Sequence, residues 1–190
     1  MFNLFLNHSK KYNAVWVSKN TTTTFQRNST HPVQTTRTNV APLLTQIVAQ
    51  LMPLAQSKMI DLDLRLFSNE VFADVHADCF CLMVYNLIGH SLKDAPTNGC
   101  VSVDAYTEGL DFVLIVMHNG NAVTEEEVSF LFNLEQDHSV QTRQAVAPGI
   151  GLDSVKQIVD AHKGQLLAES RAGRGSAYTV KLHMIGDVYS

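Results

Sequence analysis

Acidic residues are missing from the first 60 positions of this 190-residue chain. That stretch carries six Lys or Arg side chains, whereas residues 61–190 hold all 18 acids against 8 basic residues. The chain therefore divides into a part of net charge +6 and a part of −10, which is typical of a basic arm joined to an acidic folded body. Because the overall charge is −4, we expect no nucleic-acid partner.

Cysteine is scarce, and its spacing argues against a metal centre. Cys79, Cys81 and Cys100 are odd in number, and the Cys-Phe-Cys stretch has no second Cys/His pair to complete a zinc site. We therefore expect reduced thiols, no metal site and a cytoplasmic protein. The sequence also lacks an apolar run of 18 residues, so we expect no membrane span.

The apolar content and the composition divide the chain into an arm and a domain. Residues 1–38 are basic and rich in Thr and Asn, with little apolar periodicity, and they are interpreted as an N-terminal arm or linker, or as the remnant of a larger parent chain. With 45% hydrophobic residues, the chain can build a real core, and residues 39–190 are predicted to fold as one domain.

Apolar spacing predicts the first half of the domain. Residues at i, i+3 and i+4 indicate an amphipathic helix over about 40–58. Strict alternation in DLDLRLF predicts a strand with Leu62, Leu64 and Leu66 facing inward, and EVFADVHA predicts an edge-like strand. A second helix is expected from Asp78, as N-cap, to a stop before Pro96.

The second half alternates strands with turn signals. VSVDAY and DFVLIVM are predicted strands, and the continuous apolar run of DFVLIVM indicates a central one. TEEEVSFLF predicts a short helix, and residues 133–147 are predicted to form a mobile loop. The Gly-rich stretch at 149–151 is predicted to lead into a helix that ends at Gly164. QLLAES and SAYTVKLHM are predicted to form two strands, which complete the order of elements. This order predicts an α/β (α+β) two-layer sandwich with an antiparallel or mixed sheet and helices on one face.

Three short motifs follow one another through these elements. The first motif, NLIGHSLKDAP, lies on the second predicted helix and places Asn86, His90 and Lys93 at helical spacing. HNGNA, with His118 and Gly120, follows the apolar strand and has the chemistry of a tight turn. GIGLDS, with Gly149 and Gly151, opens a helix, where backbone amides favour anions.

Taken together, these motifs resemble the ATP-binding domain of sensor histidine kinases, the Bergerat-type fold of the GHKL superfamily, over about residues 39–184. The resemblance implies a mixed, mainly antiparallel sheet with helices on one face. The family pattern N-L-[LI]-x-N-A-x-K-[YF]-[TS]-P matches at Asn86, Lys93 and Pro96, but its second Asn is His90. In D-x-G-x-G, Gly120 matches, His118 replaces the Asp and Ala122 replaces the second Gly. In G-x-G-L-G-L, Gly149 and Gly151 match, Asp153 replaces the third Gly and Ser154 the last Leu.

Each replacement acts against the ATP and Mg²⁺ that the resemblance implies. Mg²⁺ prefers oxygen ligands, so an imidazole at His90 weakens a magnesium site. His118 offers fewer acceptors to an adenine amine than a carboxylate does. Asp153 places negative charge at a helix N-terminus that would receive phosphates. The remnant pocket is therefore assigned to Asn86, His90, Lys93, His118, Gly120, Gly149 and Gly151, with no catalytic residue.

Two interpretations of function stay open. The first is a histidine-kinase-like domain with a degenerate pocket, without cofactor, that acts as a regulatory or docking module for a response regulator or histidine kinase. The alternative is an ATP-binding catalytic domain that uses Mg²⁺-ATP in phosphotransfer with a separate His-bearing hairpin. Residues 1–38 cannot supply such a hairpin, so activity of this chain alone is not expected. The sequence leaves a homodimer open.

Overall fold

The computed structural model describes residues 33–122, 152–171 and 175–184. In chain order the elements are β1 (Thr36–Asn39), α1 (Ala41–Ser57), β2 (Asp61–Leu66), β3 (Phe72–Val75), α2 (Ala77–Asp94), β4 (Cys100–Glu108), β5 (Asp111–His118), α3 (Leu152–Ala161), β6 (Gln165–Arg171) and β7 (Gly175–His183). The predicted short helix, the predicted mobile loop, Gly149 and Gly151 lie outside the described residues.

Five strands form the main sheet in the order β2-β4-β5-β7-β6, with β5 at its centre as the apolar run predicted. Only the β2–β4 pair is parallel, and the other three pairs are antiparallel. The predicted mixed, mainly antiparallel sheet with helices on one face is confirmed. A second, two-stranded sheet pairs β1 with β3, so the expected arm–domain boundary after residue 38 falls inside β1.

Helices α1 and α2 begin for different local reasons. The Asn39 side-chain Oδ1 accepts hydrogen bonds from the backbone N–H groups of Ala41 and Val71, both at 3.2 Å, and so fixes the entry to α1. The prediction that Asp78 caps α2 is wrong, because the extended N-cap residue is His76, whose carbonyl accepts the first helical bond from Phe80. Asp78 instead lies in the first turn, where its charge suits the helix dipole.

The hydrophobic core lies between the helices and one face of the sheet. Phe80 of α2 packs edge-on against Phe112 of β5, with ring centroids 5.7 Å apart. Leu62 is buried in this core, and Leu64 and Leu66 pack against it, as their alternation predicted. None of the helices in the described ranges is long and apolar enough to cross a bilayer.

Candidate functional site

The C-terminal end of β5 meets the last turns of α2 at a cluster of polar side chains on the helix-covered face of the sheet. His118 ends β5, His90 and Asp94 lie one turn apart on α2, and Tyr178 comes from β7. We call these four residues the histidine cluster. Three of them, His90, Asp94 and His118, are among the positions at which the sequence departs from the histidine kinase pattern.

His118 is enclosed by protein, with only 3% of its surface exposed. Its Nδ1 accepts a hydrogen bond from the backbone N–H of Gly120 at 3.2 Å, so the neutral ring carries its proton on Nε2. Nε2 is itself buried and has no hydrogen-bond partner among the residues that the structure describes. Burial lowers the pKa of His118; the Asp94 carboxylate opposes this shift, and the nearby His90 adds to it.

Tyr178 joins the two histidines. Its fully buried ring stacks on His118, with centroids 6.2 Å apart and planes inclined by 23°. Its hydroxyl lies 3.1 Å from His90 Nε2, and the same nitrogen lies 3.1 Å from Asp94 Oδ2. The His90 imidazole is therefore already engaged by two oxygens of the protein.

The turn after β5 is held closely against its surroundings. The Asn119 side-chain Oδ1 accepts a hydrogen bond from the Cys100 N–H at 2.8 Å, which ties the turn to the start of β4. A Cβ at Gly120 would lie 2.0 Å from the carbonyl oxygen of Asp94. Glycine is required at 120 because the backbone passes directly over the end of α2.

Asn86, one turn before His90, joins α2 to α3. It is 2% exposed, and its Nδ2 donates a hydrogen bond to Ser154 Oγ at 2.5 Å. His162 makes a second link between these helices, because its Nε2 accepts the backbone N–H of His76 at 3.1 Å. Asn86 therefore serves helix packing in this structure, which is a role that its position in the motif did not predict.

The structure brings together four of the residues that the sequence singled out. Asn86, His90, His118 and Gly120 lie around the junction of α2, α3 and β5, whereas Lys93 on the same helix is exposed. The assignment of these residues and of Gly149 and Gly151 to a remnant ATP pocket stays a prediction.

Sequence reasoning missed three residues that complete this region. Ser154 and Asp94 lie inside the motifs, at positions where the family pattern has other residue types, and this departure was the available signal. Tyr178 gave a weaker signal, since a buried strand residue with a polar tip needs a partner at that tip.

Comparison with known proteins agrees with this geometry. Residues 76–185 match the model of the family described as histidine kinase-, DNA gyrase B-, and HSP90-like ATPase. The chain is 24% identical over 147 residues to the adaptive-response sensory kinase SasA of Synechococcus sp. strain JA-3-3Ab, covering 77% of this chain and 39% of that protein.

Solved structures share the fold. The nucleotide-free catalytic domain of histidine kinase ThkA superposes with a TM-score of 0.67 at 17% identity, over 78% of this chain and 95% of that one. ThkA in complex with the response regulator protein TrrA superposes with a TM-score of 0.62 at 16% identity, over 80% of this chain and 42% of that one.

The chain belongs to the family of histidine kinase-, DNA gyrase B- and HSP90-like ATPases, and its domain is of the histidine kinase type found in two-component systems. It spans 10% of the length of the methyl sulfide methyltransferase-associated sensor of Methanosarcina acetivorans and 39% of the length of SasA.

Proposed function

We propose that this domain binds ATP weakly or not at all and acts as a regulatory or protein-interaction module in two-component signalling. The observation that carries the proposal is the buried state of His118. The histidine kinase resemblance places an acceptor for the adenine amine at this position, at the end of the central strand. His118 instead turns its ring into the protein.

Neither nitrogen of His118 is available to accept a hydrogen bond from a ligand. Nδ1 is used by the Gly120 N–H, and Nε2, which carries the proton, is a buried donor. A hydrogen bond to a charged group contributes about 1.5–3 kcal/mol, so losing the carboxylate acceptor weakens adenine binding by one to two orders of magnitude.

His90 weakens the magnesium site in a similar way. Its Nε2 faces Asp94 and the Tyr178 hydroxyl, and a nitrogen ligand suits Mg²⁺ poorly. Asp153 adds a negative charge within the first turn of α3, where phosphates would approach. The residues present therefore do not fit Mg²⁺-ATP.

An ATP-binding catalytic domain that works with a separate His-bearing hairpin is the second candidate. It is favoured by the family match, which covers the three retained motif residues of the predicted pocket that the structure describes, Asn86, Lys93 and Gly120. In this case ATP and Mg²⁺ would be the cofactors, bound in an altered pose.

Isothermal titration calorimetry with Mg²⁺-ATP separates the two candidates. We expect flat titrations and an unchanged melting temperature at millimolar ATP. Micromolar binding would overturn the degenerate pocket and support the catalytic domain.

A reversion experiment tests the cause of weak binding. We expect the triple variant His118→Asp, His90→Asn, Asp153→Gly to gain ATP binding by calorimetry. A control variant with changes at exposed positions, His183→Asp, His76→Asn and Glu70→Gly, should stay without it. If the reversion variant folds and still binds no ATP, these three positions are not what abolishes binding.

The expected partner is a response regulator or a histidine kinase. ThkA in its complex with TrrA offers the precedent for a protein of this fold. Sedimentation velocity of the chain alone and with a candidate regulator decides between a homodimer, a heteromeric complex and a monomer. We expect a complex with the regulator whose formation does not depend on ATP.

A further inference from the structure

Hydrogen bonds join helices α2 and α3 at two separate places. Near the start of α3, the Ser154 hydroxyl accepts the hydrogen bond from Asn86. Just after the end of α3, His162 accepts the backbone N–H of His76, which is the N-cap of α2. Ser154 and His162 are about 12 Å apart along the helix axis. The two helices therefore run antiparallel, and each end of α3 has its own link to α2.

Both ring nitrogens of His162 are engaged, and they fix its tautomer. Nε2 accepts the His76 N–H at 3.1 Å, so it carries no proton in the neutral ring. Nδ1 therefore carries the proton and donates it to the Ile158 carbonyl oxygen, at 2.7 Å. One bond joins His162 to its own helix and the other joins it to α2.

A second proton on His162 affects these two bonds in opposite ways. The Nδ1–H group still donates to the Ile158 carbonyl, and the C-terminal end of a helix favours a positive charge. Nε2–H, in contrast, becomes a donor that faces the His76 N–H, which is also a donor. It also brings a positive charge to the N-terminal end of α2, which the helix dipole disfavours. Protonation therefore retains the bond within α3 and removes the bond to α2.

The surroundings of His162 disfavour the protonated ring. The titratable groups on the adjoining segments are His76 and Asp78 of α2, Asp74 of β3, Glu169 of β6 and Lys163. On α3 itself, Asp160 is paired with Lys156. Burial lowers the pKa of His162; the hydrogen bond to Ile158 opposes this shift, and the His76 imidazole adds to it. Among the described residues, the side-chain charge that acts on His162 is thus one of the same sign.

We propose that protonation of His162 releases the C-terminal end of α3 from the start of α2, so that pH switches the packing of the two helices. The amide of Asn86 and the hydroxyl of Ser154 do not titrate in this range, so the other end of α3 stays attached. The switch needs no nucleotide, and it operates in the regulatory module proposed above as well as in an ATP-binding domain.

The direction of the switch follows from proton binding. In the released state, His162 has its ordinary pKa of 6.5, whereas in the linked state its pKa is lower. The link is therefore complete above pH 6.5 and weakens as the pH falls through this value. Between the two pKa values the released state binds one proton more, so its population rises by up to about tenfold for each pH unit.

Hydrogen exchange of single backbone amides, followed by NMR in the full chain and corrected for intrinsic rates, tests the switch. Between about pH 8 and 5, we expect protection of the His76 amide to fall by up to about tenfold per pH unit. The Phe80 amide, which donates to the His76 carbonyl within α2, is the internal control and should keep its protection. Equal losses at the two amides indicate global unfolding and overturn the proposal.

Substitutions at His162 test whether this residue causes the response. His162→Gln retains a side-chain acceptor that does not titrate, and we expect protection of the His76 amide to become independent of pH. His162→Leu removes the acceptor, so the amide should be unprotected at every pH. His183→Asn, at an exposed position on β7, is the matched control and should respond as the unmodified chain does. A pH response that persists in His162→Gln overturns the proposal.

The ring of His162 provides a test that needs no substitution, so it stays decisive if a variant does not fold. Imidazole ¹⁵N shifts of the full chain should show the proton on Nδ1 at high pH and on both nitrogens at low pH. We expect the same midpoint for the ring and for the His76 amide. A proton on Nε2 at high pH, or two different midpoints, overturns the proposal.

His76→Asn tests the contribution of the neighbouring charge. This variant keeps the backbone N–H that His162 accepts but removes the imidazole that lowers the pKa of His162. We expect the midpoint of the His162 ring to move to higher pH while the midpoint of the His76→Asn amide moves with it. A ring midpoint that moves without the amide would show that the link does not depend on the protonation of His162.

Discussion

The hydrogen bond from Asn86 to Ser154 is the clearest residue-scale link between the two motif-bearing helices. Asn86 is 2% exposed, so its amide cannot exchange this bond for one with water. We expect Asn86→Ala to lower the free energy of unfolding by about 1–3 kcal/mol, because a buried polar bond and its packing are lost together. Urea denaturation followed by circular dichroism measures the change.

A double-mutant cycle with Ser154→Ala isolates the bond itself. We expect a coupling energy of about 0.5–3 kcal/mol between the two positions, as for residues in direct contact. Gln157→Ala, at an exposed position on α3, serves as the uncoupled control. Additive effects at Asn86 and Ser154 would show that the two side chains contribute independently.

At the scale of elements, the connection after β5 depends on a close approach to the end of α2. We expect Gly120→Ala to lower the free energy of unfolding by about 1–3 kcal/mol, because the added Cβ would lie 2.0 Å from the Asp94 carbonyl oxygen and the turn must move. The measurement is the urea midpoint of the purified variant.

Gly109, in the turn between β4 and β5, gives a matched comparison. A Cβ there meets no atom within 4 Å, but its φ of +61° strains any other residue. We expect Gly109→Ala to cost about 1 kcal/mol through this strain alone. A larger loss at Gly109 than at Gly120 would contradict the close contact assigned to the second turn.

The sequence predicted the existence of helices and strands better than it predicted the residues at which they begin and end. The alternation of Leu62, Leu64 and Leu66 specified β2 because strand periodicity is local. The start of α2 was placed at Asp78, two residues late, because several polar residues there suit a helix start and only the backbone conformation distinguishes them. β1 was not predicted, since TRTN has no apolar alternation and forms a strand through its pairing with β3.

For the molecule as a whole, the buried His118 and the half-buried His162 make stability depend on pH. Burial lowers the pKa of both His118 and His162 below the ordinary value of 6.5. The unfolded chain then binds protons that the folded chain does not, so stability is fully present above this value and falls as the pH drops through it. We expect the urea midpoint to decrease between about pH 7.5 and 5.5, before most carboxylates titrate.

Substitutions of single histidines test which residues cause this dependence of stability on pH. His118→Asn retains an acceptor for the Gly120 N–H but does not titrate, and we expect it to flatten the decrease. His162→Gln should act in the same direction, whereas His183→Asn, at an exposed position, controls for the loss of an imidazole as such. An unchanged pH dependence in both the His118 and the His162 variant would contradict the role of these two residues.

The sequence alone determined the order of the described helices and strands from α1 onwards, the division of charge along the chain and the motif residues that place it among histidine-kinase-like ATPases. These follow from local periodicity and spacing, which survive without knowledge of distant contacts. Only the tertiary structure decided that Asn86 bonds Ser154, that Tyr178 stacks on His118, and that Val113 and Met117 are buried on the face away from the helices. Such contacts join residues far apart in the chain, and they exist only once the sheet register and helix packing are set.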